Sequence, residues 1–307
     1  MRAPFDKMLV VLIAPLVLHS TCLALGAAPQ QKNRALSSAS KAYILILHGL
    51  NLKPSKMKAI AETACPPQSK RICEILSLAG HEEDQESTMA SVTAEIWKKQ
   101  VLESALRLSE KAEQENVPLI LIGYSLGGLI GTWVHANWDA QLALNHRPHL
   151  FDAQILIAPA IATRWYTGIT PFLPLPSAAF LPSKNHPDYR ANAGTSLGAY
   201  RAMFRLIREV NESAKNKSDI NVPTLVALHR EDELVSPGGT EKWIQNHAWT
   251  NWKIFWVDHS TSKLKPSYNH LMIDETSLGA EPWEKLQFAI QSHLSQVTLF
   301  TEGNSAR

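Results

Sequence analysis

Residues 119–131 read LILIGYSLGGLIG, and this stretch constrains the fold more than any other. The apolar run Leu119–Ile122 suits a strand buried on both faces, and the residues from Leu126 onward have helical character. Only a sharp turn through Gly123-Tyr124-Ser125-Leu126-Gly127 connects the two. Glycines two before and two after the serine leave room for strand and helix to pass close to it. Ser125 is then either the cap of a tightly turned helix or a nucleophile held up for attack.

Further apolar runs recur along the chain. These are AYILILHG (Ala42–Gly49), RICEILSL (Arg71–Leu78), AQILIAP (Ala153–Pro159), VPTLVALH (Val222–His229) and WKIFWVD (Trp252–Asp258). Helical spacing falls between them. SKMKAIAETA has Ser55 as a cap and Pro66 as a stop. Residues 87–116 place Val92, Ile96, Val101, Leu102, Leu106 and Leu108 on or near one face, and a last helix spans Ala280 to Leu294. Strands alternating with helices predict an α/β fold with a mainly parallel sheet covered on both faces. In such a sheet the C-terminal ends of the strands gather at one edge, where loops assemble a site. The rhythm breaks at about 160–221, where the proline- and aromatic-rich RWYTGITPFLPLPSAAFLPS and then a helix over LGAYRAMFRLIREV read as a lid inserted over that edge.

Composition narrows the class. With 307 residues, 45% of them hydrophobic, the chain has enough apolar mass for one sizeable core, and a net charge of +2 gives no electrostatic reason to bind nucleic acid. It has no zinc-spaced cysteines, no Walker-type glycine loop and no His-x-x-x-His pair, so neither metal nor phosphate chemistry is indicated. Arg2 and Lys7 precede the apolar run Met8–Leu18, and LALGAAPQ follows, the pattern of a secretory signal peptide over 1–27. A polar tether would occupy 28–41, the folded domain 42–296 and a tail 297–307. The protein is thus expected to be periplasmic or secreted, with a retained N-terminal anchor as the alternative. Cys22 follows Leu-His-Ser-Thr, a poor lipidation site. Its removal leaves Cys65 and Cys73, either one disulfide or two buried thiols. Asn211 and Asn216 fit the glycosylation pattern, which is common by chance.

A serine hydroxyl needs a base, and the base an orienting acid. Both types follow later strands: HREDELVSP presents Glu231, Asp232 and Glu233, and DHSTSKLKPSYNHLMID presents His259 and His270. Four stretches, LHGLN, GYSLGG, LHREDELVSP and YNHLMID, resemble the α/β-hydrolases near the monoacylglycerol-lipase, carboxylesterase and serine aminopeptidase-like branch. The resemblance runs from about 43 to 294. It implies the α/β-hydrolase fold, with Ser125 as nucleophile, His270 as base and Asp232 as acid; His259 and Glu231 are the competitors. It also implies the backbone N–H groups of Leu50 and Leu126 as oxyanion donors, and no cofactor. His48 reads as a structural histidine and GHEED (80–84) as a solvated loop.

In the lid, Trp165, Tyr166, Phe172 and Phe180, with Leu173, Leu175 and Leu181, would line an apolar slot for an acyl chain. The expected activity is hydrolysis of a carboxylic ester with a short or medium acyl group, a monoacylglycerol or a lysolipid, with transient contact to a lipid surface. An aminopeptidase or amidase of the same fold, and a non-catalytic binding protein, are the alternatives.

Overall fold

Six parallel strands form the central sheet: β1 (Ala42–Leu47), β2 (Arg71–Leu76), β3 (Leu119–Tyr124), β4 (Ala153–Ile157), β7 (Thr224–His229) and β8 (Trp252–Val257), in the order β2-β1-β3-β4-β7-β8. The computed structural model describes residues 41–82, 86–138, 148–214, 220–257, 262, 264 and 268–305. The expected signal peptide, nearly all of the tether, Asn216 and His259 lie outside the described residues.

The four central strands are buried along their whole length, which is why each reads as an unbroken apolar run. Alternation within those runs sorts the side chains. Ile44, Ile46, Ile120, Ile122, Ile155 and Ile157 pack on one face, beneath α1 (Lys58–Ala64) and α8 (Ala280–Ser305). Leu45, Leu47, Leu121 and Leu156 pack on the other, with α3 (Ala94–Gln114), α4 (Leu126–Ala136) and α5 (Leu197–Ser213). The edge strands β2 and β8 are only partly covered.

Several boundaries differ from the sequence reading, each for a local reason. Ser55 caps nothing: Pro54 starts a 3-10 turn over Pro54–Met57, and α1 begins after it. The helical stretch 87–116 is two helices, α2 (Glu86–Ser91) and α3, because the Thr93 hydroxyl accepts the Ile96 N–H and starts a new helix. Trp97 then points inward and Ile96 is exposed. The last helix continues to Ser305, past the tail boundary at 297. Cys65, at the end of α1, is disulfide-bonded to Cys73 on the edge strand β2.

Between β4 and β7 the chain leaves the sheet. It forms a 3-10 segment (Trp165–Phe172), a small antiparallel pair, β5 (Phe180–Pro182) and β6 (Gly194–Ser196), and then α5. The remaining helices are α6 (Pro237–Asn246) and the short α7 (Glu275–Leu278). Among the described residues no helix is long and apolar enough to cross a membrane.

Candidate active site

Ser125 sits on the turn between β3 and α4 with φ 51° and ψ −113°, a conformation that a non-glycine residue adopts only under constraint. The constraint is visible. The Ser125 N–H donates to the Ile157 carbonyl at 2.9 Å, and the Ser125 carbonyl accepts from Leu129 and Ala160, both at 3.1 Å. The flanking glycines are sterically required: a Cβ on Gly127 would lie 2.4 Å from the Leu47 carbonyl oxygen, and one on Gly123 2.6 Å from Gly128 Cα. Ser125 does not cap the helix with its side chain, so the hydroxyl is left to other partners.

Those partners are His270 and Asp232. His270 Nε2 lies 2.9 Å from Ser125 Oγ, and His270 Nδ1 lies 2.8 Å from Asp232 Oδ2. The carboxylate can only accept, so Nδ1 carries a proton and Nε2 faces the serine as an acceptor. Asp232 Oδ1 is held at 2.8 Å by the N–H groups of both Leu234 and Val235. A short carboxylate at this turn satisfies those amides, whereas Glu231 projects into solvent. Burial works to lower the His270 pKa, but the charge and hydrogen bond of Asp232, with the Glu233 charge, outweigh it and the pKa is raised. Burial raises the Glu233 pKa, and its carboxyl accepts the His270 N–H at 3.1 Å.

A cavity of about 370 Å³ opens beside Ser125 and His270. Of the seven lid residues expected to line it, Tyr166 and Leu181 do, while Leu173 and the exposed Leu175 do not. Trp165 and Phe172 instead stand 81% and 80% exposed on the outer side of the 3-10 segment, and Phe180 packs on the core from β5. Tyr166, Thr167 and Thr170 line the cavity, the two threonines one 3-10 turn apart on the same face. The apolar wall that sequence reading missed is Tyr200, Met203 and Phe204 on α5. Their i, i+3, i+4 spacing within AYRAMF was the available signal.

No family model matches the sequence, and no curated protein sequence matches it. Solved structures do resemble it. One of two metagenome-derived lipolytic enzymes, LipS and LipT, aligns at a TM-score of 0.63 and 19% identity over 85% of this chain and 96% of that one. A soluble variant of monoglyceride lipase from Saccharomyces cerevisiae aligns at 0.65 and 10% identity, over 85% and 87%. The monoacylglycerol lipase of Paleococcus ferrophilus aligns at 0.59 and 16% identity, over 83% and 94%. This chain has the α/β-hydrolase fold.

In α/β-hydrolase terms the loop after β1 faces the elbow. A Cβ on Gly49 would lie 2.7 Å from the Tyr124 ring and 3.2 Å from Ser125 Cβ, so glycine lets this loop approach the elbow, and Leu50 lines the cavity with Ser125. Leu126 opens α4, where first-turn N–H groups have no partner within the helix. His48 is wholly buried: its Nδ1–H donates to the Gly49 carbonyl at 2.9 Å, and Nε2 accepts the Leu78 N–H at 3.0 Å. The expectation that GHEED is solvated fails at His81. Glu82 is exposed, but His81 is wholly buried, 4.6 Å from the His48 ring and 6.0 Å from Trp97 between centroids. The turn at Gly80 directs it inward, where Nδ1–H donates to the carbonyls of Leu78 and Ala79.

Proposed function

We propose that this protein is a serine hydrolase that cleaves carboxylic esters through an acyl-enzyme. One observation carries the reading: the unbroken hydrogen-bonded series Ser125–His270–Asp232 at the base of a cavity. In the mechanism, Ser125 Oγ attacks the acyl carbon and passes its proton to His270 Nε2. Asp232 keeps the imidazole in the required tautomer and stabilises its charged form. The N–H groups of Leu50 and Leu126 meet the developing oxyanion. The departing alcohol takes the proton from His270, and water repeats the sequence to free the acid.

The substrate we favour is a short or medium acyl ester, a monoacylglycerol or a lysolipid. The apolar lining of Leu50, Leu181, Met203, Phe204, Leu234 and Val235 accepts an acyl chain, and the threonine hydroxyls in the same lining suit a polar head. Similarity to lipolytic enzymes and monoacylglycerol lipases supports the same class. Among the described residues no carboxylate side chain lines the cavity, so nothing there would hold the amine of a peptide, which weighs against the aminopeptidase alternative. The insertion at 160–221 acts as the lid. Its exposed Trp165, Ile169, Phe172 and Leu175, in a stretch without charge from Trp165 to Ser183, would touch a lipid surface. Export by the 1–27 signal completes the reading, in keeping with the Cys65–Cys73 bond.

The test is hydrolysis of p-nitrophenyl esters from acetyl to palmitoyl by the chain and by Ser125→Ala. A rate that peaks at one chain length and falls about a thousandfold or more in the variant is expected. Equal rates in both proteins would sink the proposal.

A further inference from the structure

We infer that Asn185, on the return limb of the insertion, is a positioning residue that sets the oxyanion donor at Leu50; this rests on the serine-hydrolase reading above. Asn185 lies in the cavity wall, and its amide nitrogen donates to two successive carbonyls of the loop after β1: Leu50 at 2.9 Å and Asn51 at 2.8 Å. Both of its protons are therefore committed to that loop.

The consequence follows from peptide geometry. The Leu50 N–H belongs to the Gly49–Leu50 peptide, whose carbonyl is held by His48 Nδ1–H at 2.9 Å and by the Leu52 N–H at 3.3 Å. In a trans peptide the C=O and N–H point in opposite directions, so holding that carbonyl aims the Leu50 N–H the other way. The peptide on the far side of Leu50 must be held too, or Leu50 can rotate. Asn185 supplies that second anchor at the Leu50 carbonyl.

The surrounding contacts show why the anchor is rigid. Asn51 has φ 51°; its side chain donates to the carbonyls of Asn192 and Gly194 at 3.0 and 3.1 Å and accepts the Asn192 N–H at 2.8 Å. The Lys53 N–H donates to the Tyr189 carbonyl at 2.8 Å, and the Ala191 N–H to the Asn51 carbonyl at 3.1 Å. Limb 185–194 and loop 50–53 thus form one unit. Within it, Asn185 is the member that reaches the donor residue itself. The insertion therefore does more than cover the cavity: its placement decides whether the donor side of the site is in register, so displacing the limb disables chemistry as well as binding.

Asn185→Asp tests this, because it keeps the side-chain size and removes both donors. The full chain and the variant would be compared for ester hydrolysis and for the rate at which an alkyl fluorophosphonate labels Ser125, where the serine oxygen displaces fluoride at phosphorus. Expected are a kcat about tenfold to a hundredfold lower, below the loss for deleting a donor outright, with KM within about twofold and labelling slowed in parallel. Asp188→Asn, exposed on the same limb, should change neither. Should the carboxylate prevent folding, judged by the melting temperature, Asn185→Ala gives the same reading. An unchanged kcat and labelling rate, or a raised KM with kcat intact, overturns the positioning role alone and leaves the hydrolase standing. If the unmutated chain neither hydrolyses esters nor is labelled, the hydrolase reading fails and this inference with it. Labelling without ester turnover would let the labelling rate decide.

Discussion

Asp232 does two things to His270, and they separate experimentally. Its hydrogen bond selects the tautomer that leaves Nε2 free to accept, and its charge raises the imidazole pKa against the opposing effect of burial. A general base works only when neutral, so activity should fall as pH drops through that raised value. We expect kcat/KM to be half-maximal on the acid side above pH 6.5, the ordinary histidine value. In Asp232→Asn the charge is gone, so the acid limb should move to lower pH while kcat drops about 10⁴-fold. A pH–rate series on both proteins checks this; an acid limb that stays in place would mean that Asp232 does not set the His270 pKa. These three residues were legible because each follows an apolar run and each is of a type the chemistry demands. Between Glu231 and Asp232 sequence pattern leaves a competition, which the Leu234 and Val235 amides resolve by requiring the shorter carboxylate. Asn185 was not legible, since its role depends on a carbonyl pair 134 and 135 residues away in sequence.

Among the elements, the insertion carries the most consequence and was read least well. Its helix α5 was visible from periodicity, and the central strands from their unbroken apolar runs. The 3-10 segment was not, because a proline- and aromatic-rich stretch shows no periodicity to say which rings face inward. What holds that stretch is Arg201 on α5. Its guanidinium donates to the carbonyls of Pro171, Leu173 and Leu175 at 3.1 Å each and to Ser177 Oγ at 2.9 Å. One planar fork thus ties together a segment whose own backbone bonds are short-range, Leu173 N–H to the Thr170 carbonyl and Leu175 N–H to the Leu173 carbonyl. Arg201→Ala should release residues 171–177, raising KM about tenfold for the best ester with a smaller change in kcat, and speeding proteolytic cleavage there. Arg201→Lys should restore little, because a single ammonium cannot span four acceptors. Limited proteolysis followed by mass mapping, with steady-state kinetics on the same samples, decides it. Cleavage at the unmutated rate would show that the stretch is held by its packing instead.

For the whole molecule, the buried histidines set how stability responds to acid. Desolvation pushes His81 and His293 down to about 4 and His48 well below 6.5, the last helped by the neighbouring His81. All three are neutral when folded and free to protonate near 6.5 when unfolded. The unfolded chain therefore binds more protons between pH 6.5 and about 4, and folding weakens as pH falls through that window. His270 has the opposite sign: its raised pKa contributes stability that is complete below 6.5 and fades as pH rises through the folded value. Three depressed histidines outnumber the raised His270 and the raised Glu233 carboxyl, which leaves net acid destabilisation. From the His81 value alone the loss between pH 7 and 4.5 is roughly 2 kcal/mol. Urea unfolding at those two pH values should show a lower midpoint at 4.5. His81→Asn keeps a donor for the Leu78 and Ala79 carbonyls but does not titrate, so it should narrow the gap between the two midpoints by about that amount. A gap of unchanged size would mean that His81 takes up no protons on unfolding, and that the acid sensitivity lies with other groups, His48 and His293 among them.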